Sequence, residues 1–404
     1  MQKFFSFLII FILVCIDVKA QFISNKNIIQ AEEAIVGASR LELYLPLLEN
    51  KNVAVIANQT SIFNNTHLID TLLSKDINIK NIFTPEHGFR GTADEGALIN
   101  NSIDEKTQLP IISLYGKNKK PNSEQLKDID VLLFDLQDVG TRFYTYISTM
   151  TYAMEAAAEN NIPIIVLDRP NPNGFYIDGP VLEKENTSFV GLHKVPIVYG
   201  LTIGEYAQMV NGEYWLPDSL QCNLTVIPLG NYDRNNIYDL PIKPSPNLPN
   251  WKSVYLYPSL CFFEGTTVSV GRGTEFPFQV YGHPMIESYY SFTPKQAEGR
   301  GKPLHCDSEC FGENLIQYAI DYEKNEYQLN LTWLIKAYEQ LKGKEKFFNN
   351  FFVKLSGTKD LQQQIENGFS EDEIRKSWKE DLDEYKKIRS KYLLYDDFEQ
   401  QKKH

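Results

Sequence analysis

Basic residues are in short supply. Forty lysines and arginines against 52 acids leave a formal charge of −12, which argues against a nucleic-acid binder, because neutralising phosphates requires a basic face. Cysteine is scarce as well, with five in the chain. Setting aside Cys15 leaves Cys222, Cys261, Cys306 and Cys310, an even set for an oxidising compartment. His305 with Cys306 and Cys310 in HCDSEC raises a metal site, but the spacing matches no standard zinc pattern, and the segment reads as a disulfide or two free thiols. The chain has no HExxH, no Walker A loop and no GxGxxG after a strand. Nothing in it calls for a metal, a nucleotide or another cofactor. After the first twenty residues no apolar run approaches the ~20 residues of a membrane span.

Those first twenty residues read as a secretory signal peptide. Lys3 supplies the positive start, Phe4 to Val14 the apolar run, and Val18-Lys19-Ala20 a small-residue cleavage site before Gln21. Val14 is larger than the residue a lipobox has before its cysteine, which favours plain cleavage over lipidation at Cys15. The mature protein is expected to be soluble and exported, to a periplasm or out of the cell.

What remains is long enough for two domains, with 43% hydrophobic and 13% aromatic residues. Short apolar strands alternate with amphipathic helices: strands at 53–57, 79–83, 109–114, 130–135, 162–167 and 224–228, helices at 66–74 and about 143–160. Units of that length predict an α/β fold with a mostly parallel, doubly wound sheet. All carboxyl ends of such a sheet share one rim, so Asn58, Glu86, Asp138, Arg142, Asp168 and Arg169 should gather there. The densest of these strand ends is Ile79 to Gly96, where Glu86, His87, Arg90, Asp94 and Glu95 crowd into one loop.

Other polar residues read as structural. Thr202 and Glu205 have capping-box spacing, Asp168 and Arg169 suit a rigid turn in which they pair, and His67 and His193 stand alone. Five prolines between Pro241 and Pro258, with Trp251 among them, describe an ordered crossing segment. Gly271 and Gly273 flank Arg272, either to let the backbone approach a ligand gripped by the guanidinium or to make a hairpin in which Arg272 pairs with Glu264. From the capping box at Ser370, the series Ile374, Trp378, Leu382, Tyr385, Ile388 and Tyr392 predicts a long helix packed on the second domain.

Seven segments then fall into one pattern: FTPEHGFRG at Phe83 to Gly91, SLYG at Ser113 to Gly116, DLQDVGTRFYTY at Asp135 to Tyr146, LDRPNPNG at Leu167 to Gly174, GLTIGE at Gly200 to Glu205, PSPNLP at Pro244 to Pro249 and FEGTTVSVGRGTEFPF at Phe263 to Phe278. With the closing YLLY at Tyr392 to Tyr395, the chain resembles the exo-β-N-acetylmuramidases of bacterial cell-wall recycling over nearly its whole mature length. One position departs: Tyr199 stands before GLTIGE where the resemblance implies a histidine. The resemblance implies a Rossmann-like domain over 30–235, a smaller α/β domain over 236–396, and an active site in the cleft between them. It also implies hydrolytic release of N-acetylmuramic acid from the non-reducing end of peptidoglycan-derived sugars or muropeptides, without a cofactor.

Glycoside hydrolysis needs a proton donor and a second group that activates water or supports the oxocarbenium ion. Glu86 is the choice for general acid, with His87 to orient it or serve as its proton partner. Asp138 is the first choice for the second carboxylate, followed by Glu264 across the cleft and Glu95; the substrate's own N-acetyl group is the other way to fill that role. Arg90, Arg142 and Arg272 suit the lactyl carboxylate, Tyr144 offers an aromatic face, and Asn58 and Asn247 complete the substrate-binding set. Two other readings stay open: a hydrolase of another cell-wall bond, and a non-catalytic muropeptide-binding protein.

Overall fold

The computed structural model describes residues 28–30, 34–86, 88–89, 101–116, 118–297, 301–322, 325 and 327–398. The signal-peptide reading, His87, Arg90, Asp94 and Glu95 lie outside the described residues.

Seven strands form the main sheet, in the order Leu224–Ile227, Ile164–Leu167, Val131–Asp135, Asn52–Ala57, Asn78–Thr84, Pro110–Ser113 and Ser102–Ile103. Every neighbouring pair is parallel except the last. Leaving out that antiparallel edge strand, the order is the doubly wound one of two mononucleotide-binding halves. The central strands are buried on both faces, Val131–Asp135 along its whole length, which is why they read as unbroken apolar runs without polar alternation.

The second lobe holds a three-stranded antiparallel sheet, with Cys310–Asn314 between Val280–His283 and Tyr290–Phe292. One apolar cluster runs from Ala54 and Phe134 through Phe143, Tyr257 and Phe262 to Trp378 and Tyr385. The two lobes therefore share a core, and the opposite face of the main sheet packs a separate cluster around Val55, Leu72 and Ile165.

The proline-rich crossing segment ends in a helix, Trp251–Leu260, started by an Asn250–Ser253 capping box and containing Pro258. A proline there cannot return a hydrogen bond to the carbonyl four residues back. Asn173 Nδ2 supplies it instead, donating to Val254 O at 3.1 Å. A motif residue from the first lobe thus makes the proline tolerable in the second.

The tail helix, Glu371–Arg389, begins at its expected Ser370 cap and meets the second lobe in its first turn, where Glu371 accepts from Leu331 N at 3.2 Å and Thr332 Oγ1 at 2.7 Å, while its last turns reach the first lobe. Tyr385 Oη donates to Tyr199 O at 2.7 Å, and Arg389 donates twice to Gly200 O at 3.0 and 2.8 Å. Tyr395 Oη then reaches Asp168 Oδ2 at 2.6 Å. The apolar stripe announces a packed helix and does not say against what, and much of this one is bolted to the first lobe.

Arg142 is the other bolt. It is fully buried and gives Nη1 to the carbonyls of Pro180 and Val195 (2.8 and 2.7 Å) and Nη2 to those of Leu355 and Ser356 (3.0 and 2.6 Å). The last two close the helix Phe352–Ser356, whose terminal carbonyls have no partner within the helix. Gly357 follows in the left-handed region, and a Cβ there would stand 2.4 Å from Arg142 Nη2. Arg142 is therefore not placed to bind substrate, contrary to the expectation from its rim position. Arg142→Met should lower the free energy of unfolding by about 2–4 kcal/mol, because it strands buried carbonyls, and urea denaturation measures it. A substrate-binding arginine would instead raise KM and leave the denaturation midpoint in place.

Candidate active site

A cavity of about 530 Å³ opens between the lobes. Glu86 reaches it from the loop that follows Asn78–Thr84, the first lobe adds Phe143 to Tyr146, and the crossing segment adds Ser245 to Leu248. The second lobe contributes Tyr257, Cys261, Glu264, Arg272 and Phe278. Two carboxylates, one from each lobe, thus face one space.

Hydrogen bonds fix the walls. Tyr144 Oη donates to Pro244 O at 2.8 Å and Gln59 Nε2 to the same carbonyl at 3.2 Å, which ties the prolyl segment to the sheet rim. Asn58 does not line the cavity. It is fully buried, donates to Tyr146 Oη at 2.7 Å, and accepts from Thr60 N and Oγ1 at 2.9 and 2.6 Å. Its part is to place Tyr146, whose ring stands edge to face with Tyr144 at 4.8 Å. Tyr144, Tyr257 and Phe278 continue as one aromatic wall, with centroid distances of 6.2 and 5.0 Å.

Arg272 sits over the end of that wall, 5.1 Å from the Phe278 ring centroid. Its Nε and Nη2 both donate to Glu264 Oε1, at 2.6 and 2.5 Å. Gly271 and Gly273, both with positive φ, form the turn that aims it. The ion-pair reading of this segment holds, and the pair itself lines the cavity. Burial pushes the Glu264 carboxyl up to about 7; the Cys261 thiol, 3.7 Å away, works against that rise and the charge of Glu86 adds to it. The guanidinium at 2.5 Å also favours the ionised form.

Asp138 is a correction. It is buried and does not line the cavity; its Oδ2 accepts from Gly140 N at 2.7 Å and from the Tyr199 hydroxyl, while Oδ1 has no partner. Gly140, at φ +77°, has no room for a Cβ against the Asn171 side chain, so the loop can turn back onto Asp138. Tyr199, where the resemblance implies histidine, is therefore a neutral donor that holds this loop. Arg169 is a second correction: it pairs bidentately with Asp135, at 2.6 and 2.9 Å, and not with Asp168. Asp168 accepts from Thr202 Oγ1 and Gly204 N, each at 2.8 Å, as well as from Tyr395. The Thr202–Glu205 capping box forms. His67 and His193 are buried and hydrogen-bonded, and all four described cysteines are free thiols.

Two neighbours of the carboxylates escaped the sequence reading. The Tyr115 hydroxyl hydrogen-bonds Glu86, and burial followed by the Glu86 charge pushes it up to about 12. The available signal was topological: in a doubly wound sheet, the strand ending at Ser113 lies beside the strand that delivers Glu86. In the sequence Cys261 is only one of an even set of cysteines, and the turn Cys261–Gly265 brings it to Glu264.

Comparison with known proteins divides the chain between residues 252 and 255. Residues 53–252 match the family model for the exo-beta-N-acetylmuramidase NamZ N-terminal domain, and 255–395 match that for the C-terminal domain. The peptidoglycan beta-N-acetylmuramidase NamZ of Bacillus subtilis is 41% identical over 381 residues, 87% of this chain and 89% of that protein. Two crystal structures of DUF1343 family proteins from Bacteroides fragilis superpose with TM-scores of 0.82 and 0.78, at 47% and 31% identity, each covering 90% of this chain and 99% of the other.

Asp138 gives a pH test. Burial pushes its carboxyl up to about 6, against hydrogen bonds from Tyr199, Gly140 and Val139, so between its unfolded value near ~3.9 and about 6 the folded protein binds more protons. That contribution to stability is complete below the lower value and lost as pH rises through the upper one. An amide in its place does not titrate, so the melting temperature of Asp138→Asn should gain on wild type from pH 4 to pH 7. A difference independent of pH would show that the carboxyl ionises as freely folded as unfolded.

Proposed function

The chain belongs to the exo-β-N-acetylmuramidase NamZ family, and we propose on that premise how its cleft does the family's chemistry. The protein is a glycosidase that releases terminal N-acetylmuramic acid from peptidoglycan fragments. The observation that carries the residue assignment is that Glu86 and Glu264 face one cavity from different lobes, with an arginine and an aromatic wall beside them.

Cleaving the glycosidic bond puts negative charge on the leaving oxygen and positive charge on the anomeric carbon. Glu86 protonates the oxygen. It comes from the tip of a central strand and is hydrogen-bonded by Tyr115, which restricts where its carboxyl points. Glu264 supports the positive charge from the opposite wall until water adds to the anomeric carbon, its proton passing to one of the two carboxylates so that the acid is restored. Its pairing with Arg272 favours the ionised form that this role requires, and burial strengthens its field at the reacting carbon.

Arg272 also gives the cavity wall a cation suited to the lactyl carboxylate of muramic acid. The sugar's apolar face suits the wall of Tyr144, Tyr257 and Phe278, and Asn247 offers an amide to its acetamido group. The signal-peptide pattern of the first twenty residues, together with a wall polymer as substrate, supports export to a periplasm or the exterior.

Substrates of different leaving-group quality test these roles. Glu86→Gln should lower kcat on a muramic-acid–N-acetylglucosamine disaccharide by about 10²–10⁴-fold and on an activated aryl β-muramide by much less, because a good leaving group needs little protonation. Glu264→Gln should impair both alike. Equal losses on the two substrates for Glu86→Gln would remove it as the acid. Tight muropeptide binding with no wild-type turnover of either substrate would leave a binding protein.

A further inference from the structure

The segment Phe347-Phe348-Asn349-Asn350-Phe351-Phe352 carries four phenylalanines with different fates. Phe347, Phe348 and Phe352 are 3%, 4% and 0% exposed, as core residues are. Phe351 is 42% exposed and lines the cavity. Core packing therefore does not account for it.

Its main chain is held. Asn349 Oδ1 accepts from Phe351 N at 2.8 Å, and Asn349 N donates to Gly265 O at 2.9 Å. On the next residue, Phe352 Cα lies 2.4 Å from where a Cβ on Gly265 would be. The ring is thus presented from a backbone seated on the turn that carries Glu264. An exposed aromatic ring beside the turn that carries a proposed reacting carboxylate is suited to the C–H face of a pyranose.

Exposure decides which sugar it meets. A site that removes terminal residues must enclose the sugar it releases and leave an opening for the rest of the glycan. The enclosing wall is the buried one, with Tyr144, Tyr257 and Phe278 at 7%, 8% and 1% exposure. Phe351 belongs to the open side, together with exposed Lys302. Resting on the glycosidase reading above, we infer that Phe351 is the platform of the leaving-group subsite, stacking on the sugar from which muramic acid is cut.

The test compares two donors with the same muramic acid and different leaving groups: β-muramyl fluoride, which offers nothing to stack on, and the muramic-acid–N-acetylglucosamine disaccharide. For Phe351→Ala, the loss of kcat/KM on the disaccharide should exceed the loss on the fluoride by about tenfold, and Phe351→Tyr should restore the disaccharide value. Equal losses on both substrates, or no loss on the disaccharide, would overturn the assignment. A wild-type protein inactive on both would bring down the glycosidase reading instead, and this subsite with it.

Discussion

A guanidinium buried between two lobes with only carbonyls to receive it constrains the rest of this molecule. Arg142 spends Nη1 on the first lobe and Nη2 on the second. Neither lobe can turn relative to the other without leaving a buried cation or buried carbonyls unpaired, at a cost of several kcal/mol. The shared apolar core and the tail helix, docked on Tyr199 and Gly200, act in the same direction. The separation of Glu86 from Glu264 is therefore set by the packing that joins the lobes. A mechanism that needs two carboxylates at a fixed distance across a cleft requires that rigidity.

The fold was legible because its signals are local. Unbroken apolar runs such as Val131 to Phe134, capping boxes at Thr202 and Ser370, and the periodic tail gave strands, helices and a doubly wound sheet without knowledge of any long-range contact. The site was legible in part. The rim argument gathered Asn58, Glu86, Asp138, Arg142, Asp168 and Arg169, and all of them do follow strand ends, yet only Glu86 lines the cavity. Position in sequence says that a polar residue reaches the rim. It cannot say whether the side chain turns outward to a ligand or inward to a carbonyl, because that depends on which donors and acceptors the other lobe brings.

Those inward residues hold the rim together. Asp135 with Arg169, Asp168 with Thr202, Gly204 and Tyr395, and Asn58 with Thr60 and Tyr146 each satisfy buried polar groups that the fold would otherwise leave bare. Asp138 is the partial exception. One of its oxygens has no partner, and burial raises its affinity for a proton. Its tyrosine partner donates as a neutral group, where the histidine that the resemblance implies at this position could also carry a positive charge.

In doubly wound sheets the ligand crevice lies where strand order reverses, here between Asn52–Ala57 and Val131–Asp135. In this chain the protein's own side chains fill that place: Ser61 Oγ donates to Asp135 O at 2.5 Å, Thr60 Oγ1 accepts from Gln137 N at 3.1 Å, and Asn58 reaches across to Tyr146. With the crevice plugged, the cavity's first-lobe carboxylate, Glu86, comes from the next strand over, and the other half of the cavity has to come from elsewhere. The second lobe supplies it, as an ion pair whose carboxylate faces Glu86 and whose arginine suits an acidic sugar. The reversal point of the sheet thus serves as a structural pin, and the carboxylate proposed as the acid stands one strand away.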